Sequence, residues 1–260
     1  MCFVKFFRLI STFLILSLLL VFPSSASNER INWNFKSNGG NTRPIFVGGK
    51  QIEELKGSLY IGNENDKTVY LTFDAGYSNE NVEKILDVLK SHDVKGAFFI
   101  LPGIIWHSED TVKRMADEGH LICNHSTSHN DMSKIDNIGD FKDELNGIEN
   151  IFRETYGLEM AKYFRPPEGA FSVNTLNFCE ELGYTPVFWS FAYADWDNNK
   201  QMAPEKAKEK ILSQLHDGMV ILLHPTSKTN ADILDSVITE IKSRGYSFGT
   251  LDELASKTKP

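Results

Sequence analysis

The chain has 260 residues, 41% hydrophobic and 24% charged, which suits one large domain or two small ones around a sizeable core. Its net charge of −8 leaves no basic excess for holding nucleic acid or an acidic surface. Of the 3 cysteines, Cys2 falls in the N-terminal leader pattern and the other two are too few for a thiolate metal site.

The N-terminus reads as a leader rather than as part of the fold. Lys5 and Arg8 form a positive region, Leu9 to Phe22 an apolar one, and Pro23-Ser24-Ser25-Ala26 offers small residues for cleavage. This is the pattern of a secretory signal peptide over residues 1–26. The rival reading is an uncleaved anchor, although the apolar run falls short of the ~20 residues a span usually needs. Cleavage would remove Cys2. Cys123 and Cys179 sit in apolar patterns and read as small buried hydrophobes, with a disulfide between them left open. Residues 27–66 are polar with scattered apolar anchors, among them Trp33, Phe35 and Leu59. They are expected to form an arm wrapped on a domain spanning 67–260, with a short helical turn near Ile52 to Leu55. Trp33 reads as a packing plug.

From Thr68 onward strand and helix patterns alternate. The β-branched and aromatic run Val69 to Phe73 predicts a buried strand, broken by Ala75-Gly76, and Val82, Ile85, Leu86 and Leu89 predict a helix over 80–91. A strand over 95–101 is followed by a helix over 109–118, with Ser108 as N-cap and Gly119 after its end. The next expected elements are a strand over 120–124, a long helix within 138–156 and a short strand at 163–164. A helix over 173–182 and a strand over 186–191 come next. The pattern closes with a helix over 204–216, a strand over 219–223, a helix over 231–244, a strand over 247–251 and a C-terminal helical turn. About seven β/α units with short connections imply an α/β fold with a mainly parallel sheet, closed or nearly closed into a barrel.

Polar residues recur where these strands end: Asp74, His125 with His129 in H-S-T-S-H, Arg165, Asp195-Trp196, and His224. In a barrel such ends converge on one face, where catalytic groups collect. Each has an ordinary alternative. Asp74 could cap a turn, Arg165 form a structural ion pair, Asp195 sit in a turn, and His224 be a satisfied buried histidine. Two imidazoles four residues apart in a turn would face one way and suit zinc or a similar ion, or simply bond to backbone.

In order, T-F-D-A-G (72–76), N-H-S-T-S-H (124–129), F-R-P-P-E-G (164–169), A-D-W (194–196) and I-L-L-H (221–224) resemble the polysaccharide deacetylase (NodB-homology) family. The resemblance implies a distorted (β/α) barrel that hydrolyses acetyl groups on carbohydrate. It implies Asp74 as general base, His224 as general acid, Arg165 holding Asp74 ionised, and Asp195 supporting the imidazolium of His224. His125 and His129 would be metal ligands.

One position departs from the pattern. The family usually carries a second Asp where this chain has Ala75, and that Asp completes the metal triad. A divalent metal (Zn, Mg or Mn) is therefore expected to be weakly held or absent, with the oxyanion left to backbone N–H groups near Ala75 or Tyr77. The same departure, with Gly76-Tyr77 and Asn79, W-S-F-A-Y-A-D-W (189–196), W-N-F-K (33–36) and Y-I-G-N (60–63), looks like the branch of δ-lactam-forming muramic acid de-N-acetylases. That branch implies peptidoglycan glycan strands as substrate and a secreted or cell-envelope location in a spore-forming Gram-positive bacterium. Tyr77 and Trp196 would supply faces for sugar rings, as would Tyr193; Trp189 reads equally as core. Other readings are a deacetylase of N-acetylglucosamine polymers or acetylated xylan, and a catalytically silent glycan-binding protein.

Overall fold

The computed structural model describes residues 29–47, 55 and 57–258. The expected signal peptide lies outside them, as does the expected turn at 52–55 except for Leu55. Three short strands, β1 (Ile31–Asn32), β2 (Phe35–Lys36) and β3 (Ile45–Phe46), precede β4 (Thr68–Ala75). The chain then alternates through α1 (Glu80–Ser91), β5 (Ala97–Ile100), α2 (Pro102–His107), α3 (Glu109–Asp117), β6 (Leu121–Asn124), α4 (Ile138–Tyr156) and β7 (Ala161–Phe164). It continues with β8 (Ala170–Phe171), α5 (Val173–Glu181), β9 (Thr185–Pro186), α6 (Pro204–Ser213), β10 (Met219–Leu223), α7 (Lys228–Ser243), β11 (Ser247–Gly249) and α8 (Leu251–Thr258).

The parallel sheet runs β10-β4-β5-β6-β7-β9, and β11 pairs with the start of β4. Side chains alternate across β4 as its pleat requires. Val69, Leu71 and Phe73 are buried in one cluster with Ile85 and Leu86 of α1 and Val237 and Ile238 of α7. Tyr70 packs in another with Phe99, Cys123, Val187 and Val220, which fills the inside of the curved sheet. Asp74 continues the alternation of Tyr70 and Thr72, so the inside face delivers it to the end of the strand.

The barrel closes through single bridges in place of a full ladder. Phe191 bridges Ile221 in parallel, Leu59 bridges Val187, and Ile61 bridges Met219. The strand expected over 186–191 is correspondingly cut short: only Thr185–Pro186 pairs with β7. Beyond Phe164 the Arg165 side chain, not a strand, takes the Val187 carbonyl, and Leu59 of the arm pairs with the opposite edge. The Leu59 N–H donates to the Pro186 carbonyl at 2.8 Å and its carbonyl accepts from Phe188 N–H at 2.7 Å, so the arm fills the gap between this segment and β10. At the foot of this seam Gly62 N–H donates to the Gly218 carbonyl at 2.7 Å. Gly218 has φ +70°, and a Cβ there would lie 2.6 Å from Gly62 backbone. Gly218→Ala is therefore expected to cost about 2 kcal/mol, combining left-handed strain with a backbone clash. A lowered urea midpoint at unchanged slope would register it; an unchanged midpoint would show that the seam yields freely.

Other expectations shift in detail. Helix α2 lies between the expected strand and helix, where the sequence reading places no element; Pro102 starts it, where no N–H is needed. Helix α7 begins at Lys228, three residues before the expected Ala231, since the Ser227 side chain caps Asn230 N–H. Trp33 is the expected plug, stacked on Phe188 with centroids 4.8 Å apart and donating its indole N–H to the Trp189 carbonyl at 2.9 Å. Cys123 and Cys179 are both free and buried, and burial pushes both thiols up. They belong to different packing clusters, so the disulfide left open does not form. Among the described residues no helix is long and apolar enough to cross a membrane.

Candidate functional site

Asp74 is the next-to-last residue of β4, held on both sides by parallel neighbours. One of its oxygens, Oδ1, accepts from Arg165 at 2.7 Å. Arg165 follows β7 directly and is fully buried. Its guanidinium lies 4.1 Å from the centroid of the Phe99 ring, and its remaining N–H groups reach Val187 O at 3.2 Å and Thr72 Oγ1 at 2.8 Å. A guanidinium so deeply placed persists only because every face is occupied. Burial alone would raise the Asp74 pKa. The charge and hydrogen bond of Arg165, with the charge of His224, outweigh burial and hold it below the usual carboxylate value.

His125 follows β6, and its Nδ1 bonds to the Arg165 carbonyl at 2.8 Å. Because a carbonyl only accepts, that nitrogen carries the proton and Nε2 is left as the free lone pair. Nε2 faces Asp74 Oδ2 at 3.6 Å. Burial lowers the His125 pKa to about 4. The His129 ring stands edge-on to it, with centroids 5.0 Å apart. The two rings meet, as expected of residues four apart in a turn, and the turn is not helical. Ser126 (φ 70°) and His129 (φ 56°) take left-handed backbone, and Ser126 Oγ accepts from His129 N–H at 2.9 Å. Ala75, where the family pattern calls for a third ligand, is buried in the apolar cluster of Leu71 and Phe73. Two neutral nitrogens with an alanine in third place do not fit a tightly held divalent ion. Among the described residues no group of three His, Cys, Asp or Glu is placed to hold one.

His224 follows β10. Its Nδ1 bonds to Asp195 Oδ1 at 2.8 Å and its backbone N–H to Asp195 Oδ2 at 2.8 Å. Asp195 is buried and accepts a third bond, from Asn230 Nδ2 at 2.6 Å. The same amide donates to the His224 carbonyl at 3.1 Å, and its oxygen accepts from the Tyr193 hydroxyl. Burial works against the imidazolium, but the hydrogen bond and charge of Asp195, with the charge of Asp74, win and raise the His224 pKa.

Asp74 and His224 line one cleft of about 670 Å³, together with Tyr77, His125, His129 and Trp196. Arg165 and Asp195 stand behind its wall. All the residues singled out from sequence are thus brought to one place. Tyr77 and Trp196 are about half exposed or more, at 51% and 62%, and Asn198 Nδ2 donates to the Tyr77 hydroxyl at 2.7 Å, tying their two loops together. Trp189, half-buried, contributes to the cleft and backs onto Trp33. Two contributors were missed. Asn230 lies in the first turn of α7, and nothing in the sequence tells that its side chain reaches back to Asp195. Glu168, in left-handed backbone at φ 57°, borders the cleft and bonds Arg30 of the arm at 3.1 Å. A glutamate ahead of a glycine carries no such signal. Chemically, the cleft pairs an ionised carboxylate whose Oδ2 is open with an imidazole poised as acid, the pairing that hydrolysis of an acyl bond requires.

Residues 61–187 match the polysaccharide deacetylase family. The Bacillus subtilis peptidoglycan-N-acetylmuramic acid deacetylase PdaA is 42% identical over 232 residues, covering 87% of this chain and 86% of that protein. The solved structure of PdaA, a family 4 carbohydrate esterase, superposes with a TM-score of 0.85 at 38% identity, over 90% of this chain and all of that one. A peptidoglycan-N-acetylglucosamine deacetylase of Bacillus cereus is 34% identical over 77% of this chain and 72% of its own length. A family 4 pseudoenzyme from Bacillus anthracis shares the fold at 26% identity and a TM-score of 0.69, over 76% of this chain and 68% of that one.

Proposed function

The chain belongs to the polysaccharide deacetylase family, and on that premise we propose that it removes acetyl groups from N-acetylmuramic acid in peptidoglycan strands, on the route to muramic δ-lactam in spore cortex. The observation that carries the chemistry is one cleft holding Asp74 and His224 with oppositely shifted pKa values. The likeness to PdaA and the motifs at 72–79 and 189–196 favour muramic acid. The leader pattern at 1–26 favours export to the cell envelope.

In this reading Arg165 occupies Asp74 Oδ1, which leaves Oδ2 to take a proton from water. The water oxygen bonds to the acetyl carbonyl carbon, and the tetrahedral oxyanion is met by N–H groups of the turn at Ala75 to Tyr77. Asp195 holds Nδ1 of His224, so Nε2 carries the proton to the departing nitrogen. The C–N bond breaks, and acetate and a free amine leave. Tyr77 and Trp196 present ring faces to the sugar. Family members generally depend on a metal; here His125 and His129 would hold one weakly or not at all, and no step requires it.

The test is mass spectrometry of two substrates after incubation: peptide-stripped cortex strands and N-acetylglucosamine oligomers. Acetyl loss confined to muramic residues supports the reading, and loss confined to glucosamine residues replaces the substrate. A pH dependence follows from the same geometry. Activity is expected to fall as pH rises through the raised His224 pKa, because the acid form is then lost. Asp195→Asn removes the charge that raises that pKa, so the alkaline fall should move to lower pH, with kcat down by about tenfold or more. A pH–rate profile with an unmoved alkaline limb would remove Asp195 from this role.

A further inference from the structure

We propose that Trp106 is a second, distal sugar-stacking platform, and that the glycan runs from Asp74 outward over α2. The proposal rests on the glycan-directed reading of the cleft. Among the described residues the exposed large aromatic rings are Tyr77, Trp106 and Trp196, and Trp106 is the most exposed of them at 64%. All three follow strands at the end of the sheet where Asp74 opens. Tyr77 comes after β4, Trp106 lies in the helix entered directly from β5, and Trp196 follows the segment bridged to β10. Single exposed apolar side chains are ordinary, but here Tyr77 and Trp196 line the cleft and Trp106 lies beyond its lining at the same end of the sheet.

The placement of Trp106 is fixed by its helix. Pro102, Ile104 and Ile105 anchor α2 in the core. Gly103 packs against the rim of the cleft, since a Cβ there would lie 3.0 Å from the carbonyl oxygen of Gly76, a cleft residue. Leu101, immediately before α2, also lines the cleft. Trp106 is three residues beyond Gly103 and so lies on a neighbouring part of the same face, about 4.5 Å further along. A polymer seated at Asp74 and leaving over Leu101 and Gly103 meets the indole next. A flat apolar ring suits the apolar face of a pyranose, whose C–H groups are drawn to the negative face of the indole. Ring stacking uses no charged side chain, so the pyranose face of either an N-acetylglucosamine or an N-acetylmuramic acid residue suits it.

The experiment uses the full-length mature protein, its Trp106→Ala and Trp106→Phe variants, and peptide-stripped glycan oligomers of graded length. Affinity is measured by titration calorimetry and acetate release in parallel. Wild-type affinity is expected to rise with oligomer length, and Trp106→Ala to abolish about tenfold of that rise. The ratio of kcat/KM on long over short oligomers should fall about as much, and Trp106→Phe should retain most of it. The same rise in affinity for Trp106→Ala, or no rise with length in the wild type, overturns the platform. Acetate release without length dependence removes the platform and leaves the deacetylase. Length-dependent binding lost in Trp106→Ala without any acetate release does the reverse.

Discussion

Asp74→Asn is expected to leave the protein folded and to lower acetate release by about a thousandfold, the scale on which a positioned general base contributes. The amide still offers an oxygen to the Arg165 N–H now bound at 2.7 Å, so the buried guanidinium keeps an acceptor. It cannot take a proton from water. Asp74→Ala removes base and acceptor together and leaves a fully buried cation uncompensated. That variant should be as inactive and also less stable by about 3 kcal/mol or more, lowering Tm by roughly 10 °C. Calorimetry on both variants separates the two roles of one side chain. Near-wild-type acetate release from Asp74→Asn would remove Asp74 as base.

Arg165→Ala carries the largest expected loss of stability. It opens a void against Phe99 and withdraws donors from Val187 O and Thr72 Oγ1. It also strands the Asp74 carboxylate in a buried setting. Cavity formation and an unpaired buried charge each cost several kcal/mol, so a loss of about 4 kcal/mol is expected, with kcat down by at least a hundredfold. The double variant Arg165→Met with Asp74→Asn should be more stable than Arg165→Met alone, because both charges then leave together. If the double variant is the less stable, the pair is not held by mutual compensation.

The parts of the site that sequence made legible are those fixed by local pattern. Asp74 could be placed because a short apolar run ends at it and a glycine follows. His224 could be placed because the apolar run of β10 ends at it and Pro225 follows. Arg165 and Asp195 came from the family pattern, and the fold then explains why both are buried: each neutralises a catalytic group from behind the cleft wall. What was illegible depends on partners far along the chain. Leu59 takes the hydrogen bonds of Pro186 and Phe188 from more than a hundred residues away, and the Arg165 side chain takes the Val187 carbonyl where a strand would have. Asn230 reaches Asp195 across 35 positions. The geometry of His125 and His129 turns on left-handed backbone at Ser126 and His129, which neither residue type announces. Ala75 was legible as a missing ligand; its place in the apolar cluster of Phe73 explains why no neighbouring group makes good the loss.

The central claim is a glycan deacetylase whose chemistry rests on Asp74 and His224 without a tightly held metal. Its most direct test is acetate release from peptide-stripped glycan strands by the mature protein after exhaustive chelation, with and without added Zn²⁺, Mg²⁺ or Mn²⁺. Release that persists after chelation, and is lost in Asp74→Asn, is the predicted result. Release that vanishes on chelation and returns with one ion would contradict the metal-sparing mechanism. No release under any condition, with glycan still bound, would make the chain a silent glycan-binding member of its family.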